Sequence, residues 1–328
     1  MASDLPQFAI GVDIGGTNMS AAIVNGITGA VVAKETIETL SMRGAEDGMR
    51  RLQALIERVV AQAAVPWEAI LGIGMGCTGP LDIERGLVQN PFTLPNWDNL
   101  PIVQVLTDAF QKPVLLLNDA QAAALGEFHG GAGRGTHHMV YVTVSTGIGG
   151  GLILDGRLYR GRQFLAGEVG HQSIHYDGLP CYCGRRGCWE MYASGPAIAQ
   201  FAQARVTPDS LLWQLAEGHV ETITARMVGQ AAQQGDPTAL AVLREAGLRL
   251  GAGIANLINI LSPELFVMGG GVMQSHAFIL PAVREVLQQQ QYTEGGAQIQ
   301  VVLAQLGLNA GVIGAAYGLL HLFDQALL

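Results

Sequence analysis

The chain has 328 residues, a length at which one hydrophobic core tends to give way to two lobes, and its 44 glycines against 14% charged residues exclude disorder and favour tight turns and buried strands. A formal net charge of -9 and a pI near 5.3 exclude a large nucleic-acid footprint, which needs clustered Lys and Arg to displace phosphate counterions. With no uninterrupted run of 18 apolar residues, and no basic stretch or apolar core in Met1 to Pro6, neither a membrane span nor a secretory leader is expected, and the chain reads as cytoplasmic.

Phe8 to Ile14 is apolar and strand-like, Gly15-Gly16-Thr17 turns the chain, and Met19 to Val24 reads as the returning strand of a hairpin. A third strand is expected over Ala30 to Ile37. Ala45 to Ala64 then has helical periodicity, with Met49, Leu52, Leu55, Ile56 and Val59 on one face. A buried strand, Ile70 to Met75, runs into a turn at Gly76-Cys77-Thr78-Gly79-Pro80. Asn90 to Pro101, rich in Pro and Asn, reads as a surface loop of the kind that touches ligands. After a short helix at Ile102 to Phe110, the strand Val114 to Leu117 delivers Asn118-Asp119 at its carboxyl end, ahead of a helix from Ala120 to Phe128. Ligands of open α/β sheets collect at that end of the strands.

From His138 the pattern restarts: strand Met139 to Ser145, a glycine-rich turn Thr146 to Gly151, and strand Leu152 to Leu154, a weak echo of the opening hairpin. Helices are expected at Ala197 to Ala204, Ser210 to Ala216, Ala225 to Gln233 and Pro237 to Leu261, then a strand at Leu265 to Met268 followed by Gly269-Gly270-Gly271. A helix through Val283 to Gln290, a strand at Ile299 to Ala304 and a terminal helix from Gly311 to Phe323 close the chain. No low-complexity linker is present. The lobes are therefore divided by sequence logic near Asn118, into a small α/β lobe of residues 1–118 completed by 311–328 and a large α/β lobe of residues 119–310.

Two loops carry phosphate-binding chemistry. In Asp13-Ile14-Gly15-Gly16-Thr17-Asn18 the glycines permit close backbone approach, Thr17 and Asn18 offer donors, and Asp13 suits hydrated Mg2+. Ser145-Thr146-Gly147-Ile148-Gly149-Gly150-Gly151 presents a second row of amides and two hydroxyls. Neither is a Walker A or dinucleotide fingerprint, because each leads into a strand where those demand a helix. Each is equally readable as a plain hairpin turn, but two such hairpins resemble the nucleotide grip of actin-like ATPases. Gly270 and Gly271 could admit the adenine-ribose portion. The strongest local signal is His171 followed by Cys181, Cys183 and Cys188, a Cys3His set matching structural zinc, with redox chemistry as the alternative. Cys77, among glycines, reads as a packed side chain.

Together, Gly170-His171, Cys181-Tyr182-Cys183-Gly184-Arg185-Arg186-Gly187-Cys188-Trp189-Glu190 and the two hairpins resemble the ROK family of bacterial sugar kinases and sugar-responsive repressors, from about Phe8 to Phe323. One departure is Asn18, where many members carry Lys. The resemblance implies an actin-like (ribonuclease H-like) α/β fold of two lobes around a cleft. It also implies a hexose met by Gly79, Asn118, Asp119, Glu168, His171 and Glu190, and a homodimer or homotetramer. Asp119 is then the general base for phosphoryl transfer from ATP, although a carboxylate at this place is equally a helix cap. Glu168 and Glu190 could instead be surface or salt-bridged acids. His171 could serve twice, one ring nitrogen on zinc and the other on the sugar.

The expected activity is that of a glucokinase, using ATP with Mg2+ and holding a structural Zn2+. A kinase for N-acetylmannosamine, N-acetylglucosamine, fructose or allose, or one using polyphosphate, is the near alternative. A sugar-responsive repressor is the distant one, since it needs a helix-turn-helix module ahead of the first strand and only seven residues precede Phe8.

Overall fold

β1 (Phe8–Ile14) and β2 (Asn18–Asn25) form the expected hairpin, paired antiparallel from Phe8 with Asn25 to Ile14 with Met19. β3 (Val31–Glu38) lies antiparallel to β2, and α1 (Gly44–Ala63) buries the predicted face of Met49, Leu52, Leu55, Ile56 and Val59. The computed structural model describes residues 8–91, 93–289 and 299–326; Met1 to Pro6, the predicted helix end at Gln290 and the last two positions of the predicted 311–328 segment lie outside them.

β4 (Ile70–Cys77) runs further than its sequence suggests. Gly76 and Cys77 stay in the strand because they pair in parallel register with Asp13 and Ile14 of β1 on one side. On the other side they pair with Leu117 and Asn118 of β7 (Val114–Asn118). Between β4 and β7 come a small hairpin, β5 (Leu81–Asp82) with β6 (Leu87–Val88), and α2 (Ile102–Phe110). The Asn90 to Pro101 segment is irregular where described, yet not merely superficial: Leu94 and Trp97 are fully buried. Gly48 of α1 explains how this is possible, since a Cβ there would stand inside the Trp97 ring.

α3 (Asp119–Gly130) follows β7 without a break. Next come β8 (Met139–Val144), β9 (Ile148–Leu154) and β10 (Arg157–Tyr159). The predicted glycine turn is therefore narrower, because Gly149, Gly150 and Gly151 belong to β9. A Cβ on Gly150 would come within 2.8 Å of the Val169 side chain, so these glycines serve close packing within a strand. α4 (Glu190–Ala193), α5 (Gly195–Gln203), α6 (Leu211–Leu215), α7 (Ala225–Gln233) and α8 (Pro237–Leu261) precede β11 (Leu265–Gly269), α9 (His276–Gln289), β12 (Gln300–Leu303) and α10 (Ala310–Ala326). α8 has its predicted bounds: Asp236 caps it by accepting from Ala239 N–H at 2.9 Å, Pro237 opens it, and Ser262 leaves it in a left-handed conformation.

The two main sheets share one plan. Their orders are β3-β2-β1-β4-β7 and β10-β9-β8-β11-β12. In each, an outer strand and a hairpin are followed by two strands parallel to the hairpin's inner strand, β4 and β7 beside β1 in one and β11 and β12 beside β8 in the other. The internal echo in the sequence is thus a repeat of topology.

The chain divides into two units, one holding residues up to His137, Gly151–Ala166 and the chain from Ala304, the other His138–Gly150 and Gly167–Leu303. α3 falls in the first unit, whereas the sequence placed a boundary just before it. The reason is its packing on α10, where Gly126 meets the Ala310 carbonyl and Gly314 meets the Ala122 carbonyl with no room for a Cβ on either glycine. Such backbone-to-backbone approach is invisible to a search for linkers. Among the described residues no helix is long and apolar enough to cross a membrane.

Candidate active site and metal centre

In the first unit, Asp13 and Asn118 stand at the carboxyl ends of β1 and β7, with Gly76 and Cys77 of β4 between them in register. Gly76 lacks a side chain where one would press on Ala122 at 2.9 Å, 3.6 Å from Asp119 Cα and 3.9 Å from Asp13 Oδ1. The Asp13 carboxylate and the Asp119 backbone thus both lie beside this glycine. Burial pushes the Asp13 carboxyl up from 3.8 to about 6, against the pull of Lys34. Burial, then Asp119 and Asp13, raise the Cys77 thiol, which makes it the packed, neutral side chain its surroundings suggested. Gly79 lies beside Asn118, whose amide nitrogen is 3.7 Å from where a Gly79 Cβ would stand.

Asn118 caps α3, its Oδ1 accepting from Ala120 N–H at 2.9 Å, and Asp119 Oδ1 accepts from the same amide at 2.7 Å. The cap role weighed for Asp119 is thus present. It uses Oδ1.

The first hairpin tip is held by Gly15 N–H donating to the Asn18 carbonyl at 2.9 Å and by the Thr39 hydroxyl donating to the Gly15 carbonyl at 2.6 Å. Gly16 packs against Thr93, while Thr17 and Asn18 are exposed and line a concavity of about 430 Å3 with Glu38 and Leu40 to Arg43.

Sequence reading passed over two residues of this unit. Lys34 on β3 donates to the Leu308 carbonyl at 2.8 Å and to Asn309 Oδ1 at 2.7 Å, bringing a cation to the entry of α10 near Asp13. The fully buried Glu127 accepts from the amides of Ala132, Gln305 and Leu306 at 2.9, 3.1 and 2.8 Å. A lysine inside a half-apolar strand and a lone acid inside an alanine-rich helix were the available signals.

In the second unit, Ser145 and Thr146 are exposed at the tip of the β8–β9 hairpin, closed by Ser145 N–H donating to the Gly147 carbonyl at 2.8 Å. Gly149 and Gly150 follow in β9. Gly270 has φ 90° and no space for a Cβ against Val144, and the position of a Cβ at Gly271 is open for 4 Å around. Glu190 is no surface acid. It is buried, and its Oε2 accepts from Ile148 N–H at 2.7 Å, so it grips the base of the glycine hairpin.

The His171, Cys181, Cys183 and Cys188 ligand atoms all lie within 4.8 Å of one another. Cys183 Sγ and Cys188 Sγ are 3.6 Å apart and Cys181 Sγ is 3.7 Å from His171 Nδ1, with all three thiols free. Tetrahedral zinc bond lengths require S···S of about 3.8 Å and S···N of about 3.6 Å, so the four residues fit zinc through Nδ1 of the histidine. The knuckle is set by Gly184 and Gly187, both at positive φ, and by Cys181 N–H donating to the Arg185 carbonyl at 2.8 Å. His171 Nε2 points elsewhere, 3.5 Å from the Tyr182 hydroxyl, and the Tyr182 ring stands edge-on to the imidazole at 5.4 Å. Glu168 opens the turn that carries His171; desolvation raises its carboxyl above the ordinary value, with His171 opposing and Glu190 adding.

The ROK family model matches residues 9–321. The chain is 36% identical to the glucokinase of Thermotoga maritima, over 94% of this chain and 95% of that one. It superposes with a TM-score of 0.80 on the ROK family glucokinase of Streptomyces griseus solved with glucose and AMPPNP, at 35% identity over 94% and 98% of the two chains. It is also 32% identical to the xylose repressor of Caldicellulosiruptor bescii, over 93% of this chain and 76% of the repressor. The chain belongs to the ROK family, and its α/β architecture is the actin-like ATPase fold.

Proposed function

We propose that this chain is an ATP-dependent hexose kinase of the cytoplasm, a glucokinase that converts glucose and ATP to glucose 6-phosphate and ADP. The observation that carries the reading is Asp13 at the carboxyl end of β1 and Asn118-Asp119 at that of the parallel β7, with the Asp13 carboxylate and the Asp119 backbone both beside Gly76. One acid beside the phosphate hairpin and one beside Asn118 are what a hydroxyl-to-phosphate transfer needs. Relatives that are glucokinases support it further.

In this reading Asn118, Gly79, Glu168, His171 and Glu190 orient the hexose, and Asp119 accepts the proton from the attacking hydroxyl, its own position fixed by the α3 amide it caps. Gly15, Gly16, Thr17 and Asn18 on one hairpin, and Ser145, Thr146, Gly147, Gly149 and Gly150 on the other, offer amides and hydroxyls to the phosphates. Gly270 and Gly271 leave room for the adenine-ribose. Asp13 would hold Mg2+, whose hard-oxygen preference a carboxylate suits and which neutralises phosphate charge when bound. Zinc at His171, Cys181, Cys183 and Cys188 is structural and keeps the segment between Glu168 and Glu190 in shape. Small molecules are the partners, with no nucleic acid or membrane, and the working form is a homodimer or homotetramer.

The test is glucose-dependent ADP release by the purified chain, compared with Asp119→Asn. Loss of a general base should reduce turnover by about 10²- to 10⁴-fold with little change in fold; undiminished turnover removes Asp119 from the chemistry. The repressor relatives favour a second reading, which operator binding in a mobility-shift assay together with absent phosphate transfer would establish.

A further inference from the structure

The first hairpin tip carries no charge of its own. Gly15, Gly16, Thr17 and Asn18 offer backbone amides, a hydroxyl and a carboxamide. The phosphate chain of a donor such as ATP is strongly anionic, and phosphoryl transfer asks a protein chiefly to position that chain and to neutralise it. A cation held beside the tip, on another element, would complete it.

The fold brings one there. The end of β3 is fastened to the tip by Thr39, whose N–H donates to the Thr17 carbonyl at 2.7 Å and whose hydroxyl donates to the Gly15 carbonyl at 2.6 Å. Leu40 then takes a left-handed conformation at φ 50°, uncommon for a residue other than glycine, and turns the chain into the short 3-10 turn Ser41–Arg43. Arg43 N–H closes that turn on the Leu40 carbonyl at 2.9 Å. The 93–96 segment touches both places: a Cβ on Gly16 would come within 2.7 Å of the Thr93 side chain, and one on Gly44 would stand 3.9 Å from that of Asn96. Ser41, Met42 and Arg43 consequently line the same concavity of about 430 Å3 as Gly16, Thr17 and Asn18.

The other cations of this region are engaged. Arg51 donates to the Thr39 and Glu38 carbonyls at 2.8 and 2.5 Å, Arg50 pairs with Asp47, Arg58 pairs with Glu35 at 2.8 Å, and Lys34 is held by Leu308 and Asn309. The Arg43 side chain is exposed and has no ion pair or hydrogen bond among the described residues. Glu38 is the acid lining the same concavity, so without the arginine this surface would repel an anion. A guanidinium presents a planar fork of donors that matches two phosphate oxygens.

We propose that Arg43 is a donor-binding residue, its guanidinium reaching across the concavity to the phosphate chain of the nucleotide and supplying the positive charge that the glycine hairpin lacks. This rests on the reading of that hairpin as a phosphate site. It makes Arg43 a determinant of affinity for the phosphoryl donor and not for the sugar.

The experiment combines steady-state kinetics, with ATP and glucose varied separately, and calorimetric titration with MgATP in the absence of sugar. The proteins are the wild type, Arg43→Ala, Arg43→Lys, Glu38→Gln and the double variant Asn18→Lys with Arg43→Ala. Loss of one charge-assisted contact at an exposed place should weaken ATP binding and raise its KM by roughly 5- to 50-fold in Arg43→Ala, with the glucose KM changed less than about 2-fold. Arg43→Lys, which keeps the charge and loses the fork, should fall between. Returning a charge to the tip in the double variant should recover part of the loss, and Glu38→Gln should tighten ATP binding. If the wild type binds ATP and Arg43→Ala binds it equally well, the role of Arg43 is overturned while the kinase reading stands. Equal losses toward ATP and glucose in Arg43→Ala mark a damaged turn and overturn it as well. A wild type that binds ATP without transferring phosphate is judged by the titrations alone. One that neither binds ATP nor phosphorylates a sugar overturns the hairpin assignment, and the role of Arg43 with it.

Discussion

Replacing Asp13 by Asn should stabilise the ligand-free protein while abolishing its activity, and the gain should depend on pH with a definite sign. The Asp13 carboxyl is pushed from 3.8 to about 6, chiefly by burial. An unfolded chain releases this proton near the lower value and the native chain holds it to the higher one. Between them the native state binds more protons, so this group makes stability fall as pH rises, with the full penalty in place above the folded value. At about 1.4 kcal/mol per pH unit, the interval amounts to about 3 kcal/mol at pH 8 and about 0.5 kcal/mol at pH 4. Asparagine keeps the shape and removes the charge. It forfeits the attraction to Lys34, so the expected gain at pH 8 is about 1 to 3 kcal/mol. Urea unfolding of both proteins at pH 8 and pH 4, without nucleotide or Mg2+, measures it. A destabilised variant at pH 8, or the same increment at both pH values, refutes the reasoning that Asp13 is a strained functional acid.

Glu127→Ala should cost more than about 3 kcal/mol, since it strips acceptors from the amides of Ala132, Gln305 and Leu306 in a fully buried place; Glu127→Gln, which keeps one oxygen, should lose visibly less in the same denaturation assay. Chelation, or Cys188→Ser, should lower the thermal midpoint and increase protease cleavage between residues 171 and 190, because the four ligands tie His171 to the knuckle across a stretch with little regular structure. Unchanged cleavage after verified metal removal would show that the hydrogen bonds of the loop suffice.

Much of this fold was legible because local and tertiary signals coincide. α8 has its expected bounds, Pro237–Leu261, and α1 lies one residue earlier than expected with its single apolar stripe buried. Glycine was the ambiguous letter. Gly149 and Gly150 looked like a turn and lie in a strand, while Gly48, Gly126 and Gly314 gave no local sign that a tryptophan ring or a helix carbonyl occupies the space they leave. The His171, Cys181, Cys183 and Cys188 cluster could be found because its spacing is itself the constraint. Asp13 and Asn118 could be placed because they lie at strand ends, and Asp119 because it opens the helix that follows. Lys34 and Glu127 depend on partners distant in sequence, to which a linear reading has no access.

The packing of α10 also has a bearing on synthesis. Its backbone presses on Gly11 of β1, Gly74 of β4 and Gly126 of α3, all translated well over a hundred residues earlier. The unit that emerges first from the ribosome is thus closed last, waiting with an uncovered apolar flank until the final helix arrives. The strands of the second sheet, β8 to β12, are all translated before α10 begins. Order of emergence and order of completion run in opposite senses in this chain.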